Sequence, residues 1–183
     1  MGEWAQLSGR LSGLLVGGLL LTITMLPPAT AEVQILPQAA PELDQATLTD
    51  VLAVFKQADD ALLARDVDKL MALYSEQYNY HGLKKADMRK VWTNLFDEFH
   101  ELSNAHHFSR LTKVGSGSKT IIEVTCTGRL SGLSKTGGLH VPIDSWYEEV
   151  HYMTFEDGQW RIRGNIGDSP RIMPFGTSPH PLF

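Results

Sequence analysis

Two ionisable side chains in the last third of the chain could move a proton. Glu149 and His151 lie two residues apart in a stretch that favours a β-strand, so both should face the same side of a sheet. An imidazole beside a carboxylate can act as a general base with an orienting or acid partner, which makes these residues the candidate catalytic pair. A structural hydrogen-bonded pair at the rim of the sheet is the alternative interpretation.

Aromatic side chains form the second candidate group. Small-molecule sites combine apolar walls with a few convergent polar groups, and several aromatic and histidine residues fall where predicted elements should meet. Aromatic residues at helical spacing usually belong to a packed core, so packing is the alternative for the helical members. The candidate ligand-binding residues are Tyr78, Tyr80, His81, Trp92, Phe96 and Tyr147.

The sequence predicts no metal site and no cofactor. Cys126 is the only cysteine, lies among β-branched neighbours, and is expected to be a small buried hydrophobe. His106 and His107 are adjacent in a predicted strand, so their side chains should point to opposite faces and make a poor metal pair. The glycine-rich stretches are not followed by a phosphate-binding helix.

Composition limits the class of protein. The chain has 183 residues, of which 43% are hydrophobic and 20% charged, as in a globular domain with a substantial core. Its net charge is −5 and no basic block offsets it, which argues against a nucleic-acid partner.

The N-terminal residues have the features of an export signal. Arg10 precedes a mostly apolar run over residues 11–26, and Ala29-Thr30-Ala31 has the A-x-A pattern of a cleavage site. Residues 1–31 are therefore predicted to be a signal peptide removed after Ala31, which leaves a periplasmic or secreted protein without a stable membrane anchor. An uncleaved anchor is the alternative, but the apolar run is short for a spanning helix.

The rest of the chain divides into three parts. Residues 32–46 are predicted to be an extended lead-in, residues 47–166 a folded domain, and residues 167–183 a proline-rich tail. In the domain, apolar periodicity predicts a helix from near Thr47, with Asp59 and Asp60 on its solvated side. Asp66 should cap a short second helix. The pattern also predicts a helix over residues 85–99 and strands over residues 105–114, 119–130, 143–155 and 159–166.

The turn at Asp157-Gly158 predicts which side chains face the helices. A two-residue turn there puts four apolar side chains on the inner face, where they should close the narrow end of a pocket: Phe155, Trp160, Met153 and Ile162. Strict alternation then places His151, Glu149 and Tyr147 on the same inner face. The opposite face should carry a mixed aromatic and arginine surface that suits a homodimer interface, formed by Trp146, Val150, Tyr152, Arg161 and Arg163.

Two segments carry a family resemblance. The runs ADDALLARDVDKLMALYSEQYNYHG and HYMTFEDGQWRIRG, with the order of elements between them, resemble the SnoaL-like branch of the nuclear transport factor 2-like (NTF2-like) superfamily. The resemblance covers roughly residues 48–166. It implies an α+β fold in which a curved antiparallel sheet is wrapped by three helices into a cone with an internal pocket.

The resemblance leaves several functions open, because such proteins include polyketide cyclases, ketosteroid isomerases, dehydratases and members without known activity. We expect an exported protein that binds a small apolar or aromatic molecule in the cone. One alternative is an isomerase, cyclase or dehydratase that uses proton transfer in the same pocket. Another is a dimeric interaction module with a vestigial pocket.

Overall fold

The structure, a computed structural model, describes residues 32–80 and 82–164. The predicted signal peptide, the proline-rich tail and His81 lie outside the described residues. Within the described part there are three α-helices and seven strands. Their bounds are β1 Glu32–Ile35, α1 Gln45–Ala64, α2 Val67–Ala72, β2 Tyr74–Tyr80, β3 Leu83–Lys84, α3 Lys85–Glu98, β4 Phe99–Val114, β5 Ile121–Ser134, β6 His140–Glu156 and β7 Gln159–Gly164, with a 3₁₀ turn at Gly117–Lys119.

One curved sheet contains all seven strands, in the order β1-β4-β5-β6-β7-β2-β3. The long strands β4 to β7 are antiparallel neighbours, as predicted. Two parallel pairs extend the sheet, because β1 in the predicted lead-in pairs with β4 and the aromatic segment β2 pairs with β7. The predicted α+β class, with three helices on a curved sheet, is confirmed.

The ends of the first two helices lie close to where the sequence predicted them. The side chain of Asp44 caps α1 by accepting a hydrogen bond from Thr47 N at 2.9 Å, so the helix begins slightly before the predicted residue. Arg65 ends α1 in a left-handed conformation, with φ of 56°. Asp66 then caps α2 by accepting from Lys69 N at 3.0 Å. This break ends α1 and starts α2 within two residues.

The hairpin between β6 and β7 has the predicted register. Asp157 and Gly158 have φ of 51° and 81°, as a two-residue turn with two left-handed positions requires. The ladder pairs Phe155 with Trp160, and Met153 with Ile162. Met153, Trp160 and Ile162 are buried, whereas Phe155 is 53% exposed. Phe155 therefore does not close the interior as predicted, although its ring centroid lies 5.3 Å from that of Trp160.

A β-bulge in the middle of β6 changes which side chains face the helices. Cys126 pairs with Glu149 but Gly128 pairs with Trp146, so Tyr147 and Glu148 together oppose the single residue between those two partners. Glu148 has φ of 52°, which marks the extra residue.

The bulge overturns part of the predicted inner face. Tyr147 is 69% exposed on the outer face, and Trp146 is 4% exposed inside, which reverses both assignments. The prediction is wrong because strict alternation holds only in an uninterrupted strand. The assignment of His151, which lies between the turn and the bulge, is correct, since this residue is 3% exposed.

The core lies between the concave face of the sheet and the helices, and contains aromatic and aliphatic side chains from almost every element. No helix within residues 32–80 and 82–164 combines the length and apolar content needed to span a bilayer.

Candidate functional site

Five side chains that can form hydrogen bonds lie together inside the cone, and we call them the interior polar cluster: Asp59, Asn104, His106, Cys126 and His151. Each is at most 5% exposed. Polar groups in a core cost free energy unless they are satisfied, so a group of five is a strong indication of a special role.

Four elements bring the cluster together. Asp59 comes from α1, on the side of that helix that packs against the sheet. Asn104 and His106 are two residues apart in β4 and therefore share its inner face. Cys126 lies on β5 and His151 on β6, where the ladder places His151 opposite Val124.

Hydrogen bonds connect most of the cluster. Asn104 Nδ2 lies 3.3 Å from His106 Nε2, and His106 Nδ1 lies 3.4 Å from Cys126 Sγ. Trp146 Nε1 donates to the same sulfur at 3.2 Å, and the thiol donates to Thr127 O at 3.5 Å. These contacts fit a neutral His106 that carries its proton on Nδ1 and accepts from the amide through Nε2.

Burial governs the protonation of the cluster. It raises the pKa of Asp59 from 3.8 to about 6, and a hydrogen bond from Asn104 offsets part of that rise. Burial also holds the pKa of His106 well below its ordinary value, with a further contribution from His151. The pKa of Cys126 is raised to about 12, again mainly by burial. With a pKa of about 6, Asp59 changes its charge close to neutral pH.

Asp59 also has unused hydrogen-bonding capacity. Its Oδ1 is buried and has no hydrogen-bond partner among the described residues. Asn104 Oδ1 is also buried and has no hydrogen-bond partner among the described residues. Buried carboxylate and amide oxygens normally accept a hydrogen bond, so these two atoms mark a place where a donor from a ligand or a water would be stabilised.

An aromatic side chain covers the two histidines. The ring centroid of Phe55 lies 5.4 Å from that of His106, 5.9 Å from that of His151 and 4.8 Å from that of Phe108. Phe55 comes from α1, one turn before Asp59, and is fully buried. The cluster is therefore bounded on the helix side by an apolar wall.

The predicted ligand-binding aromatics lie in the core, where they pack against one another. Tyr78, Tyr80, Trp92 and Phe96 are at most 8% exposed. Trp92 Nε1 donates to Tyr74 Oη at 2.9 Å, and the ring centroids of Tyr74 and Tyr78 are 5.0 Å apart. Burial raises the pKa of both tyrosines, so they are neutral hydrogen-bonding groups at physiological pH.

The predicted catalytic pair is only partly brought into the site. His151 belongs to the interior polar cluster, whereas Glu149 is half-buried and is not one of its members. Burial raises the pKa of Glu149, and the charge of Asp144 adds to that rise. Tyr147, the third predicted member of this face, lies outside the cone.

Sequence reasoning missed most of the cluster. The prediction that Asp59 is solvated is wrong, because it is 5% exposed. Its spacing from Phe55 and Leu62 places it on the apolar stripe of α1, which is the signal that could have found it. Sequence reasoning also gave no sign that the histidines and the cysteine meet, although ligating atoms of His106, Cys126 and His151 all lie within 4.8 Å of one another.

Two clefts on the outer surface are separate from this cluster. One of about 340 Å³ lies where α1 and α2 meet the β6–β7 turn, and includes Gln57, Lys69 and Gln159. Another of about 470 Å³ lies between β1 and α1, and includes Ile35 and Leu52. Neither is lined by a member of the interior polar cluster.

Comparisons with known proteins concern the fold. No protein-family model matches the sequence, and no curated protein matches it significantly. Among solved structures, a conserved protein from Planctomyces limnophilus has a TM-score of 0.54 and 11% identity, over 66% of this chain and 94% of that one. The protein Aln2 from a Streptomyces species has a TM-score of 0.51 and 10% identity, over 67% of this chain and 89% of that one.

A third solved structure is described as a dehydratase-like member of the NTF2-like family from Streptomyces avermitilis. It has a TM-score of 0.47 and 10% identity, over 65% of this chain and 92% of that one. Identities this low speak to the fold alone.

Proposed function

We propose that this chain is an exported protein of NTF2-like fold that binds a small apolar or aromatic molecule in the cone and transfers a proton on it. The observation that supports this proposal is the buried carboxylate of Asp59, with a pKa of about 6 and one oxygen that lacks a partner among the described residues. It lies in an interior that contains buried polar side chains and aromatic rings.

The cost of the interior polar cluster favours a functional role. Burying a carboxylate and two imidazoles destabilises a core relative to apolar side chains of similar volume. Perturbed ionisable groups of this kind concentrate at sites where chemistry occurs. The packed aromatics around Trp92 have no such cost, so they are better explained as core.

Asp59 suits the role of a general base. At pH 7 a carboxyl group with a pKa of about 6 is mostly ionised, yet it is a stronger base than an exposed aspartate. It could remove a proton from a carbon next to a carbonyl, with the electron pair moving to the carbonyl oxygen, and return the proton at the same or another carbon. Asn104 would hold the carboxylate in place, and His151 would lie beside the bound molecule.

The bound molecule would occupy the space next to Phe55. Because this ring covers both His106 and His151, a ligand that reaches them must displace it or stack against it. This supports a flat, mainly apolar ligand that can replace the contacts of the ring.

Deuterium incorporation tests the proposal. Native mass spectrometry of protein purified from its own host would first identify a retained small molecule. That molecule, and a panel of cyclic ketones and β-hydroxy ketones, would then be incubated with the protein in D₂O. We expect incorporation next to the carbonyl with the natural protein and about a 10²-fold or larger loss in Asp59→Asn.

The matched control is Asp60→Asn, which alters the neighbouring exposed carboxylate that pairs with Lys56. This variant should retain the activity. Equal incorporation by the Asp59→Asn variant and the natural protein would contradict the assignment of the base.

Export is the second part of the proposal. Glu32, the residue that would follow cleavage after Ala31, pairs with Ala105 of β4, so cleavage there would keep this pair in the mature protein. N-terminal sequencing of protein from the native host should give Glu32 in a periplasmic or culture-medium fraction. Recovery of intact Met1 in the membrane fraction would count against it.

A homodimer is a further expectation from the sequence, and one observation supports it. Tyr147, at 69% exposure, stands out from the outer face of the sheet at the bulge. Large exposed aromatic side chains on a sheet face are typical of contact surfaces between proteins.

A further inference from the structure

Three buried side chains from three neighbouring strands offer the donor atoms that transition metals prefer. His106 on β4, Cys126 on β5 and His151 on β6 each present one ligating atom, and these atoms all lie within 4.8 Å of one another. Two imidazole nitrogens and one sulfur are a donor set for zinc or copper rather than for magnesium or calcium. Each of the three residues is at most 3% exposed.

We propose that His106, Cys126 and His151 bind one transition-metal ion of the zinc class, through two imidazole nitrogens and one thiolate. Tetrahedral zinc with its usual bond lengths places a nitrogen and a sulfur ligand about 3.5 Å apart. His106 Nδ1 and Cys126 Sγ are already 3.4 Å apart. Because no two of the ligand atoms are more than 4.8 Å apart, the remaining one exceeds this spacing by at most about 1.3 Å, which rotation of one side chain can supply.

The surroundings resemble the outer shell of a metal site. Trp146 Nε1 donates to the Cys126 sulfur at 3.2 Å, and a donor of this kind stabilises a bound thiolate. The second nitrogen of His106 faces Asn104, so the ligating ring is oriented by a hydrogen-bonding neighbour.

Metal binding would rearrange protons in a definite way. The thiol of Cys126 would lose its proton to solvent as the metal–sulfur bond forms. When His106 binds through Nδ1, its proton must sit on Nε2 and be donated outward. Asn104 Oδ1, which is buried without a partner among the described residues, could accept it after rotation of the amide.

The charges of the site also balance. A divalent ion with one thiolate leaves one positive charge in a buried place, which is unfavourable without a counter-charge. The carboxylate of Asp59, connected to the site through Asn104, supplies one negative charge. The sum is neutral, so the metal would explain why a carboxylate is kept in this core.

This inference concerns the same interior as the proposed function but does not depend on it. Metal binding is measured from spectra and stoichiometry, whereas proton transfer is measured from deuterium in a small molecule. A failure of either measurement leaves the other unaffected.

Cobalt is the probe for the experiment, because cobalt–thiolate bonds give a charge-transfer band in the near ultraviolet. Protein unfolded in denaturant with a chelator would be dialysed and refolded, and Co²⁺ would be added either before or after refolding, to allow for the buried position of the site. We expect one Co²⁺ per chain, a charge-transfer band, and displacement by Zn²⁺. Zinc at a hundredfold excess over its Kd should raise the Tm by about 5–10 °C.

Variants separate the site from adventitious binding. Cys126→Ser, His106→Gln and His151→Gln should each remove the charge-transfer band or weaken Co²⁺ binding at least tenfold. His107→Gln, next to His106 but on the other face of β4, and His140→Gln at the surface are controls that should keep it. Circular dichroism would show which variants still fold.

Two results would overturn the inference. One is the absence of a charge-transfer band in the natural protein with either order of addition. The other is a band that persists in the folded Cys126→Ser variant.

Discussion

Trp146 and Tyr147 are consecutive residues of β6, yet the first is 4% exposed inside the cone and the second 69% exposed outside it. The bulge opposite Thr127 turns Trp146 toward the core. Its indole lies over Gly128, where an added Cβ would collide with the Ala105 carbonyl oxygen and the indole ring. The bulge and the glycine together make room for a tryptophan beside the interior polar cluster.

This relationship predicts very different effects for two neighbouring substitutions. Trp146→Ala should lower the free energy of unfolding by about 3–5 kcal/mol, because it leaves a large cavity and removes the donor to Cys126. Tyr147→Ala should change it by no more than about 0.5 kcal/mol. Urea denaturation of both variants would measure the difference. Equal losses would mean that β6 has no bulge at this place.

The same region shows what the sequence could and could not predict. The Asp157-Gly158 turn was predictable because a two-residue loop has strong local residue preferences. The bulge at Tyr147 and Glu148 has no glycine or other local signal, and it depends on how β6 pairs with β5. The assignments of Trp146, which lies beyond the bulge as counted from the turn, and of Tyr147, which lies within it, were therefore reversed. Met153 and His151, between the turn and the bulge, were placed correctly.

The interior polar cluster was also difficult to predict, because it too depends on how distant segments of the chain pair. Its members come from α1, β4, β5 and β6, so no short motif contains more than two of them. Asn104 and His106 share a face by alternation, but only the strand order brings Cys126 and His151 beside them. Asp59 was the exception, because its place on the apolar stripe of α1 could have been recognised.

Asp59 should make stability depend on pH in a recognisable way. Its pKa in the folded protein is about 6 and its ordinary value is 3.8, so the folded state holds this proton more tightly than the unfolded state. Its contribution is most favourable below about pH 4, falls as the pH rises to 6, and is constant above that. The full change corresponds to about 3 kcal/mol.

The Asp59→Asn variant isolates this contribution. Relative to the natural protein it should gain stability between pH 4 and 6 and keep a gain of up to about 3 kcal/mol at pH 7. The measurement is the difference in unfolding free energy between the two proteins at several pH values, with Asp60→Asn as the exposed control. A difference that does not vary with pH would show that Asp59 is not buried as a carboxylic acid.

Phe55 gives a test of whether the space beside the histidines can hold a ligand. This ring is fully buried against His106 and His151, so Phe55→Ala should cost about 3–5 kcal/mol and open an apolar cavity. Benzene or indole should then stabilise the variant, as seen by a rise in Tm that the natural protein does not show.

Controls for this prediction come from the same chain. Phe155→Ala, at a residue that is 53% exposed, should cost far less and create no binding site. If Phe55→Ala does not fold, Phe55→Leu provides a smaller cavity for the same titration. A folded Phe55 variant that responds to neither probe would mean that the interior collapses around the histidines, which would weaken the case for a ligand there.

Homodimer formation through the outer sheet face is the last prediction. The structure shows which of the predicted interface residues are available for such a contact. Of the predicted interface, Trp146 is inside the cone. The two arginines are engaged within the chain, because Arg161 donates to Ala72 O and Arg163 donates to Gln77 Oε1 at 2.7 Å. Val150 and Tyr152 stay partly exposed, so the contact should centre on these two residues and on the exposed Tyr147.

The affinity of this homodimer should fall with a substitution on the outer sheet face but not with a substitution at another exposed position. Tyr147→Lys would place two like charges close together across a two-fold axis and should weaken the dimer at least tenfold. Leu139→Lys, at a residue that is 67% exposed in the connection before β6, should not. Light scattering at micromolar concentrations measures both variants. A monomeric mass for the natural protein would refute the dimer, and equal weakening by the two substitutions would place its interface elsewhere.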